Sequence, residues 1–214
     1  TPDPTKFLEV RGRKTEHHNT AFWQLELPLP DIIDLKYDDK ISTISSICSS
    51  KYFDVGHIHR VDFLKFLEDK GDVPLDIFNK DNHHKFKNYR GKKTPYVDKS
   101  TGIVPYKYYF MVENNYERNF ITEKVWEPIL CETLVFYAGC PNITDYIDKD
   151  AFVLLDMNDF EKSYQIIKTA IAEDWWSKRI DVIRKMKKKI LDQLGFFPTI
   201  KQIIDSRSAS NNRE

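Results

Sequence analysis

The stretch that begins at Glu113 and ends at Lys124 gathers residue types that can bind an anionic ligand. Glu113 and Asn114 directly follow an apolar run, and Thr122 precedes Glu123 and Lys124. Thr122 is a favourable N-cap, so we expect Glu123 and Lys124 in the first turn of a helix. The unpaired N–H groups of a helix N-terminus suit a phosphate, and a lysine in that turn is unfavourable unless an anion lies nearby. The pattern predicts a phosphate site, and a solvated first turn is the alternative interpretation.

Strand patterns alternate with helix patterns along the chain around this stretch. The predicted strands are Ile41–Ser49, Val73–Phe78, Tyr106–Glu113, Thr133–Ala138 and Ala151–Leu155. The predicted helices are His57–Asp69, Thr122–Glu132, which Pro128 should shorten or kink, Asp159–Ala172, Ser177–Leu194 and a last short helix from about Pro198. The polar stretch Asn79–Pro105 is predicted to be a long loop. Alternation of this kind predicts an α/β fold, a Rossmann-like open parallel sheet with helices on both faces.

The two ends of the chain differ in composition from this central part. Residues 1–40 are polar and punctuated by prolines, which predicts an N-terminal arm or the remnant of a preceding domain. Residues 41–206 are predicted to form the folded, ligand-binding domain. Residues 207–214 are predicted to be a disordered tail.

The bulk composition excludes some classes of function. Lys plus Arg and Asp plus Glu both number 33, and a chain without a basic excess is not typical of a nucleic-acid-binding protein. Only three cysteines are present, which favours a reducing compartment. No apolar run is long enough to span a membrane and no signal peptide is visible, so a cytoplasmic location is expected.

The same residues closely resemble the signature of the α1,3-fucosyltransferase family, glycosyltransferase family 10, in the style of its soluble bacterial and viral members. The matching segments are Tyr106–Lys107–Tyr108, Glu113–Asn114, Phe120–Ile121–Thr122–Glu123–Lys124 and Val135–Pro141. Upstream, the family's serine-ended strand and its following helix are matched by Ser45–Ser46, Gly56–His57, Arg60, Phe63 and Leu67. Together these motifs are specific, although each alone would be weak.

The resemblance implies the C-terminal half of a two-domain glycosyltransferase of the GT-B type, which binds GDP-fucose as its donor. By matched position, Arg60 and Lys124 would bind the diphosphate, and Asn114 would contact the nucleotide or the sugar. Glu123 would face the fucose as the catalytic residue, where a carboxylate can stabilise an oxocarbenium-like transition state. The remaining residues expected to contribute to donor binding are Glu113, His57, Phe120, Thr122 and Gly139.

No metal or other cofactor is expected, because an arginine and a lysine can neutralise a departing diphosphate. The implied partners are a glycan acceptor and an upstream acceptor-binding domain of the same protein, which would supply the general base. The transfer would proceed with inversion. The pairs Asp148-x-Asp150 and Asp156 with Asp159 imitate a metal-binding motif, but Asp159 is better explained as a helix N-cap.

Two other functions remain open from the sequence. The chain could use another GDP- or UDP-linked sugar with the same diphosphate contacts. It could also be a non-catalytic nucleotide-sugar or carbohydrate-binding domain, although a structural relic would not need Arg60, Glu123 and Lys124 together. Two further patterns are interpreted as structural: the basic run Arg184–Lys189 as a solvated helix face, and Trp175–Trp176 as core aromatics.

Overall fold

A computed structural model describes residues 7–10, 13–16, 20–35, 39–91 and 98–211 of the chain. The strands are β1 (Phe7–Val10), β2 (Arg13–Glu16), β3 (Ile41–Ile47), β4 (Leu75–Phe78), β5 (Tyr89–Gly91), β6 (Tyr106–Val112), β7 (Leu134–Ala138) and β8 (Phe152–Leu154). The α-helices are α1 (Leu29–Ile33), α2 (Val55–Lys70), α3 (Glu123–Leu130), α4 (Phe160–Ala172), α5 (Trp175–Lys189) and α6 (Phe196–Asn211). Two 3₁₀ turns (Lys99–Gly102, Ile143–Asp145) and a π-helical turn (Ile190–Leu194) complete the described elements.

Six of these strands form one parallel sheet in the order β5-β4-β3-β6-β7-β8, and β1 and β2 form a separate antiparallel pair. The chain builds outward from β3 to β4 and β5, and then crosses back to place β6 on the other side of β3. The point between β3 and β6 is therefore the topological switch point, where open parallel sheets bind ligands beyond the carboxyl ends of their strands. The predicted α/β architecture with an open parallel sheet is confirmed.

The central strands are buried, as expected for a parallel sheet covered by helices. Every residue of β7 and all but one of β6 are buried. The rings of Tyr108 and Phe136 stack across the two strands with centroids 5.6 Å apart, and Phe110 contacts Phe63 of α2 at 5.1 Å. The contact between Phe63 and Phe110 packs α2 against β6, which positions the residues that follow β6.

Local sequence signals explain several helix ends. The side chain of Asp159 accepts a hydrogen bond from the Lys162 backbone N–H at 2.9 Å, so the prediction that it caps α4 is confirmed. Helix α2 ends at Gly71, whose φ of 73° lies in the left-handed region that favours glycine. Pro128 lies inside α3, and the helix ends soon after it at Leu130, in agreement with the short element predicted.

Some boundaries differ from those expected. The stretch predicted as the loop Asn79–Pro105 contains the edge strand β5 and a 3₁₀ turn, because three residues of edge strand are too few to show a period in the sequence. Helix α6 continues to Asn211, so the backbone of residues 207–211 is helical where a disordered tail was predicted; no Gly or Pro follows Pro198 to end the helix. Residues 212–214 lie outside the described part.

The described part of the predicted N-terminal arm packs against the domain. Ala21 and Ile32 are each 1% exposed, and the Ala21 backbone N–H donates to the Leu194 carbonyl at 2.7 Å. Ala21 and Ile32 therefore belong to the core. The apolar residues of this proline-containing segment have no helical or strand periodicity that would predict their burial from the sequence. Residues 1–6, 11–12, 17–19 and 36–38 of this segment lie outside the described ranges.

The basic run on α5 is only partly the solvated face that was predicted. Lys187 is buried, and its Nζ lies 2.8 Å from Oε1 of Glu132, whose other carboxylate oxygen pairs with Arg184. Trp176 is also buried, and its indole N–H donates to the Glu132 carbonyl at 2.8 Å, as the core interpretation implies. Among the described residues, no helix is both long and apolar enough to cross a membrane.

Candidate functional site

The candidate site lies at the carboxyl ends of β3 and β6, where α2 and α3 begin. The fit between α2 and β6 depends on Gly56 in the first turn of α2. Its backbone N–H donates to the Asn114 carbonyl at 3.0 Å, and a Cβ atom at this position would lie 1.6 Å from the Glu113 carbonyl oxygen. Glycine is therefore required for α2 to approach the end of β6 this closely, which brings Arg60 beneath Asn114.

Arg60 is a buried cation at the floor of the site, with 4% of its surface exposed. One guanidinium nitrogen, Nη2, donates to the Val112 carbonyl and lies 3.4 Å from Oδ1 of Asn114. Its Nε has no hydrogen-bond partner, and within the described ranges no carboxylate pairs with the guanidinium. An unpaired buried charge is costly, so this arrangement favours binding of an anion.

Glu113 organises the neighbouring turn from a fully buried position. Its two carboxylate oxygens accept hydrogen bonds from the backbone N–H of Thr122 at 2.9 Å and from the Thr122 hydroxyl at 2.7 Å. Burial raises the pKa of Glu113, and the positive charge of Lys124 at 3.5 Å offsets part of this effect. The fully buried Glu113 side chain holds the Thr122 turn in place, and its contact with a donor stays a prediction.

The turn Thr122–Glu123–Lys124 has the geometry that the sequence predicted. Thr122 is the N-cap of α3, and its Oγ1 accepts a hydrogen bond from the backbone N–H of Lys124 at 3.4 Å. Nζ of Lys124 donates to Oε1 of Glu123 at 2.9 Å, and both side chains are partly exposed. Burial alone would raise the pKa of Glu123, but the charge and hydrogen bond of Lys124 outweigh burial and lower it. Glu123 is therefore an ionised, partly exposed carboxylate at neutral pH.

His57 lies one helical turn before Arg60, on the same face of α2. It is buried, and its Nδ1 lies 3.3 Å from Oδ2 of Asp54 without a hydrogen-bonding geometry, so that this nitrogen has no partner. Burial and then the charge of Arg60 lower the pKa of His57, which keeps the imidazole neutral at pH 7. Two neighbouring polar atoms, Nδ1 of His57 and Nε of Arg60, thus have no hydrogen-bond partner.

Gly139 and Phe120 contribute to the site in different ways. A Cβ atom at Gly139 would lie 2.5 Å from Cγ of Glu113, so this glycine leaves room for the buried Glu113 side chain, and its contact with the donor stays a prediction. Phe120 is half-buried in the loop after β6. That loop is held by Asn119, whose Oδ1 accepts hydrogen bonds from Asn142 at 2.9 Å and Tyr146 at 2.6 Å.

One charged pair near the site was missed by the sequence analysis. The Lys99 ammonium and the Glu127 carboxylate form a buried ion pair, and Glu127 also accepts from the Gln24 backbone N–H at 2.8 Å. The positive charge of Lys99 contributes to the lowered pKa of Glu123. Lys99 lies in the stretch predicted as a loop, so only the fold reveals that it faces α3.

The alternative metal motif is engaged in local structure. Oδ1 of Asp156 accepts from the Asn158 backbone N–H at 2.9 Å, and Asp159 caps α4. In the part of the chain that is described, no three His, Cys, Asp or Glu side chains are grouped to hold a metal ion. Two surface grooves of about 770 and 830 Å³ lie elsewhere, between α1, α5 and α6 and beside residues 144–149, and neither includes the residues of the candidate site.

Comparisons with solved structures agree with this fold. An α1,3-fucosyltransferase with GDP matches with a TM-score of 0.53 and 17% identity, over 77% of this chain and 52% of that chain. The corresponding structure with GDP-fucose gives a TM-score of 0.52 and 16% identity, over 78% of this chain and 53% of that one. The Anabaena protein Alr3699/HepE in complex with UDP-glucose gives 0.55 and 11% identity, over 88% and 56%. The chain thus spans about half the length of the solved fucosyltransferases. A search of curated protein sequences found no match.

The family model described as "Glycosyltransferase family 10 (fucosyltransferase) C-term" matches residues 38–172, which is more than half of the chain. This range contains β3 to β8 and therefore every residue of the candidate site. The chain accordingly belongs to glycosyltransferase family 10, of which it carries the C-terminal domain.

Proposed function

We propose that this chain is the donor-binding half of a fucosyltransferase that transfers fucose from GDP-fucose to a glycan hydroxyl, with inversion and without a metal ion. The observation that carries the proposal is the buried guanidinium of Arg60 beside Asn114, at the end of β6, which no carboxylate among the described residues pairs with. A site with this charge and position fits the diphosphate of a nucleotide sugar. The family match and the likeness in fold to a fucosyltransferase holding GDP-fucose support the choice of donor.

The diphosphate would be bound by two cations of different kinds. Arg60 offers Nε, which has no partner in the structure, and Lys124 offers an ammonium at the N-terminus of α3, where the helix dipole also favours an anion. Lys124 now contacts Glu123 and Thr122, so an arriving diphosphate would take over part of its hydrogen bonding. Charge-assisted hydrogen bonds of this type are the strong ones in proteins.

Glu123 would act on the sugar. Its carboxylate is ionised at neutral pH, is partly exposed and lies next to the proposed diphosphate contact Lys124. As the bond between the anomeric carbon and the diphosphate breaks, positive charge develops on the sugar ring, and a fixed carboxylate nearby stabilises that charge. In this proposal the leaving diphosphate and the developing oxocarbenium ion are stabilised by neighbouring residues of one turn.

The acceptor would be bound by a preceding domain. Inverting transfer needs a base within hydrogen-bond reach of the acceptor hydroxyl and a second wall that excludes water. The chain spans about half of the solved fucosyltransferases, so we propose that the other half supplies both. The 214-residue chain alone should therefore bind the donor but transfer the sugar slowly, with hydrolysis of GDP-fucose as its main activity.

A thermal-shift screen tests the donor assignment directly. GDP, GDP-fucose, UDP, UDP-glucose and CMP would be added to the chain with and without EDTA. GDP and GDP-fucose should raise the melting temperature, since a ligand at 100 times its dissociation constant stabilises the folded state by about 2.7 kcal/mol. EDTA should not diminish the shift. A preference for UDP, or a shift that requires added Mn²⁺, would contradict the proposal.

A further inference from the structure

The loop between β3 and α2 exposes an aromatic surface at the mouth of the candidate site. Phe53 is 67% exposed, Tyr52 is 49% exposed and Val55 is 45% exposed. The loop follows the carboxyl end of β3, at the switch point of the sheet, where nucleotides bind in open α/β folds. An exposed aromatic ring at such an edge offers a flat apolar face to a ligand.

The loop is held in place from both sides. The hydroxyl of Tyr52 donates to the Asp62 carboxylate at 2.9 Å, and its ring lies 6.1 Å from that of His84. Nε2 of His84 is in turn hydrogen-bonded to the Ser49 carbonyl at 3.0 Å, which ties the segment after β4 to the loop after β3. The exposed ring of the neighbouring Phe53 is therefore held by an anchored loop. Little conformational entropy of this loop would be lost when a ligand stacks on the ring.

Phe53 is linked to the diphosphate part of the site through His57. The two rings lie 5.0 Å apart and are tilted by 58°. His57 has an unsatisfied Nδ1, and Arg60 lies one turn further along the same face of α2. A ligand bound at Arg60 and extending toward the N-terminus of α2 would pass His57 and reach the ring of Phe53.

Asp54, the N-cap residue of α2, adds a carboxylate beside that ring. An aspartate at an N-cap usually accepts a hydrogen bond from the first turn, but the Asp54 side chain makes none, and it is 38% exposed. Arg60 comes six positions later in the chain, which corresponds to about 9 Å along a helix. A nucleoside diphosphate is long enough to place its base at Asp54 while its diphosphate contacts Arg60.

We propose that Phe53 and Asp54 bind the base of the donor nucleotide and select guanine. In this inference, which rests on the proposed function, the purine stacks on the Phe53 ring and the Asp54 carboxylate accepts hydrogen bonds from N1–H and the N2 amino group. Guanine alone among the common bases presents these two neighbouring donors to a carboxylate. Adenine has an acceptor at N1, and uracil flanks its single N3–H with two carbonyl oxygens that a carboxylate would repel.

The substitution Asp54→Asn tests the selection of guanine, with isothermal titration calorimetry of GDP and xanthosine diphosphate as the measurement. Xanthine carries a carbonyl where guanine has its N2 amino group, so an asparagine amide can donate to it. Loss of hydrogen bonds to a charged group should weaken GDP binding roughly 10- to 100-fold, and xanthosine diphosphate should bind the variant more tightly than the wild type. Asp181→Asn on α5, also an exposed aspartate, is the matched control and should change neither affinity.

The substitution Phe53→Ala tests the stacking contact. Base stacking on an aromatic side chain is strong enough that its loss should weaken GDP binding by roughly tenfold, whereas Phe53→Trp should preserve it. Phe197→Ala removes a ring that is 81% exposed on α6, at a distance from the site, and should leave GDP binding unchanged. The melting temperature of each variant without nucleotide reports any loss of folding.

The results separate this inference from the proposed function. If wild-type protein does not bind GDP, the proposed function fails. If wild-type protein binds GDP but Asp54→Asn leaves the ratio of GDP to xanthosine diphosphate affinity unchanged, only the base assignment is overturned. An effect of Phe53→Ala on acceptor use with no change in the affinity for GDP would assign the ring to the acceptor and would also overturn it.

Discussion

Gly139 lies so close to Glu113 that a Cβ atom at Gly139 would come within 2.5 Å of Cγ of the glutamate and 2.6 Å of the Tyr137 hydroxyl. Glu113 in turn holds both the backbone and the hydroxyl of Thr122, the N-cap of α3. Gly139, which follows β7, therefore helps to position the turn at Thr122, which follows β6. Its contribution is steric, because it leaves room for a buried carboxylate.

Gly139→Ala is expected to destabilise the protein and to disturb the Thr122 turn together. Insertion of a methyl group into a packed site costs about 1–3 kcal/mol, and here the group that must shift is Glu113. The free energy of unfolding measured in urea should decrease, and the dissociation constant of GDP should increase. Gly195→Ala is the control, because the nearest atom to its Cβ would be at 3.4 Å, and it should change neither quantity appreciably.

Lys124→Met should weaken GDP binding while leaving the alkyl part of the side chain in place. Hydrogen bonds that involve a charged group contribute about 1.5–3 kcal/mol, which corresponds to roughly a 10- to 150-fold increase in the dissociation constant measured by calorimetry. Arg60→Met should weaken binding by a similar factor. Lys162→Met, at an exposed lysine on α4, controls for the loss of one positive charge. Equal effects of Lys124→Met and Lys162→Met would refute a specific contact.

Glu123→Gln should separate binding from chemistry. Its carboxylate pairs with Lys124 at 2.9 Å in the free protein, so its neutralisation should leave GDP affinity unchanged or improve it a few-fold. Turnover of GDP-fucose, measured as hydrolysis or as transfer in a full-length protein, should fall. Because the pKa of Glu123 is lowered, wild-type activity should be retained above the usual pKa of a glutamate and should be lost as pH falls through the lowered value. Weaker GDP binding by Glu123→Gln would show that the carboxylate serves the nucleotide.

The sequence was sufficient to predict the strand–helix alternation and the turn at Thr122. Both depend on local signals: continuous apolar runs for buried strands and a capping residue before Glu123 and Lys124. The residues of the candidate site cluster because Glu113 and Asn114 follow a central strand. Arg60 could be added only through the family resemblance, since nothing local to α2 indicates what its guanidinium contacts.

Other features could not be predicted, because they depend on partners far apart in the chain. Lys99 and Glu127 form their ion pair across 28 residues, and Glu132 pairs with Lys187 across 55. The burial of Glu113 was also missed, since a carboxylate after a strand normally faces solvent. Its buried position depends on the room left by Gly139, which lies 26 positions further along the chain.

The last prediction concerns Lys40, a buried lysine just before β3. Its ammonium donates to the carbonyls of Val104 and Cys131 and lies 3.1 Å from Oγ1 of Thr133. Burial lowers the pKa of Lys40 to about 8, although the nearby Cys131 and Glu132 act in the opposite direction. The buried ammonium is therefore less stable than the ammonium of the same lysine in the unfolded chain.

The sign of the pH dependence follows from the two pKa values of Lys40. Between about pH 8 in the folded state and about 10.4 in the unfolded state, the unfolded chain binds more protons, so the contribution of Lys40 to the free energy of unfolding increases with pH. Other groups titrate in the same pH range. The Lys40→Met variant keeps all of them and lacks only the Lys40 ammonium, so it serves as the reference. The difference in unfolding free energy between wild type and variant, measured in urea, should shift in favour of wild type by about 2–3 kcal/mol from pH 7 to pH 10. A difference independent of pH would show that the ammonium is not desolvated.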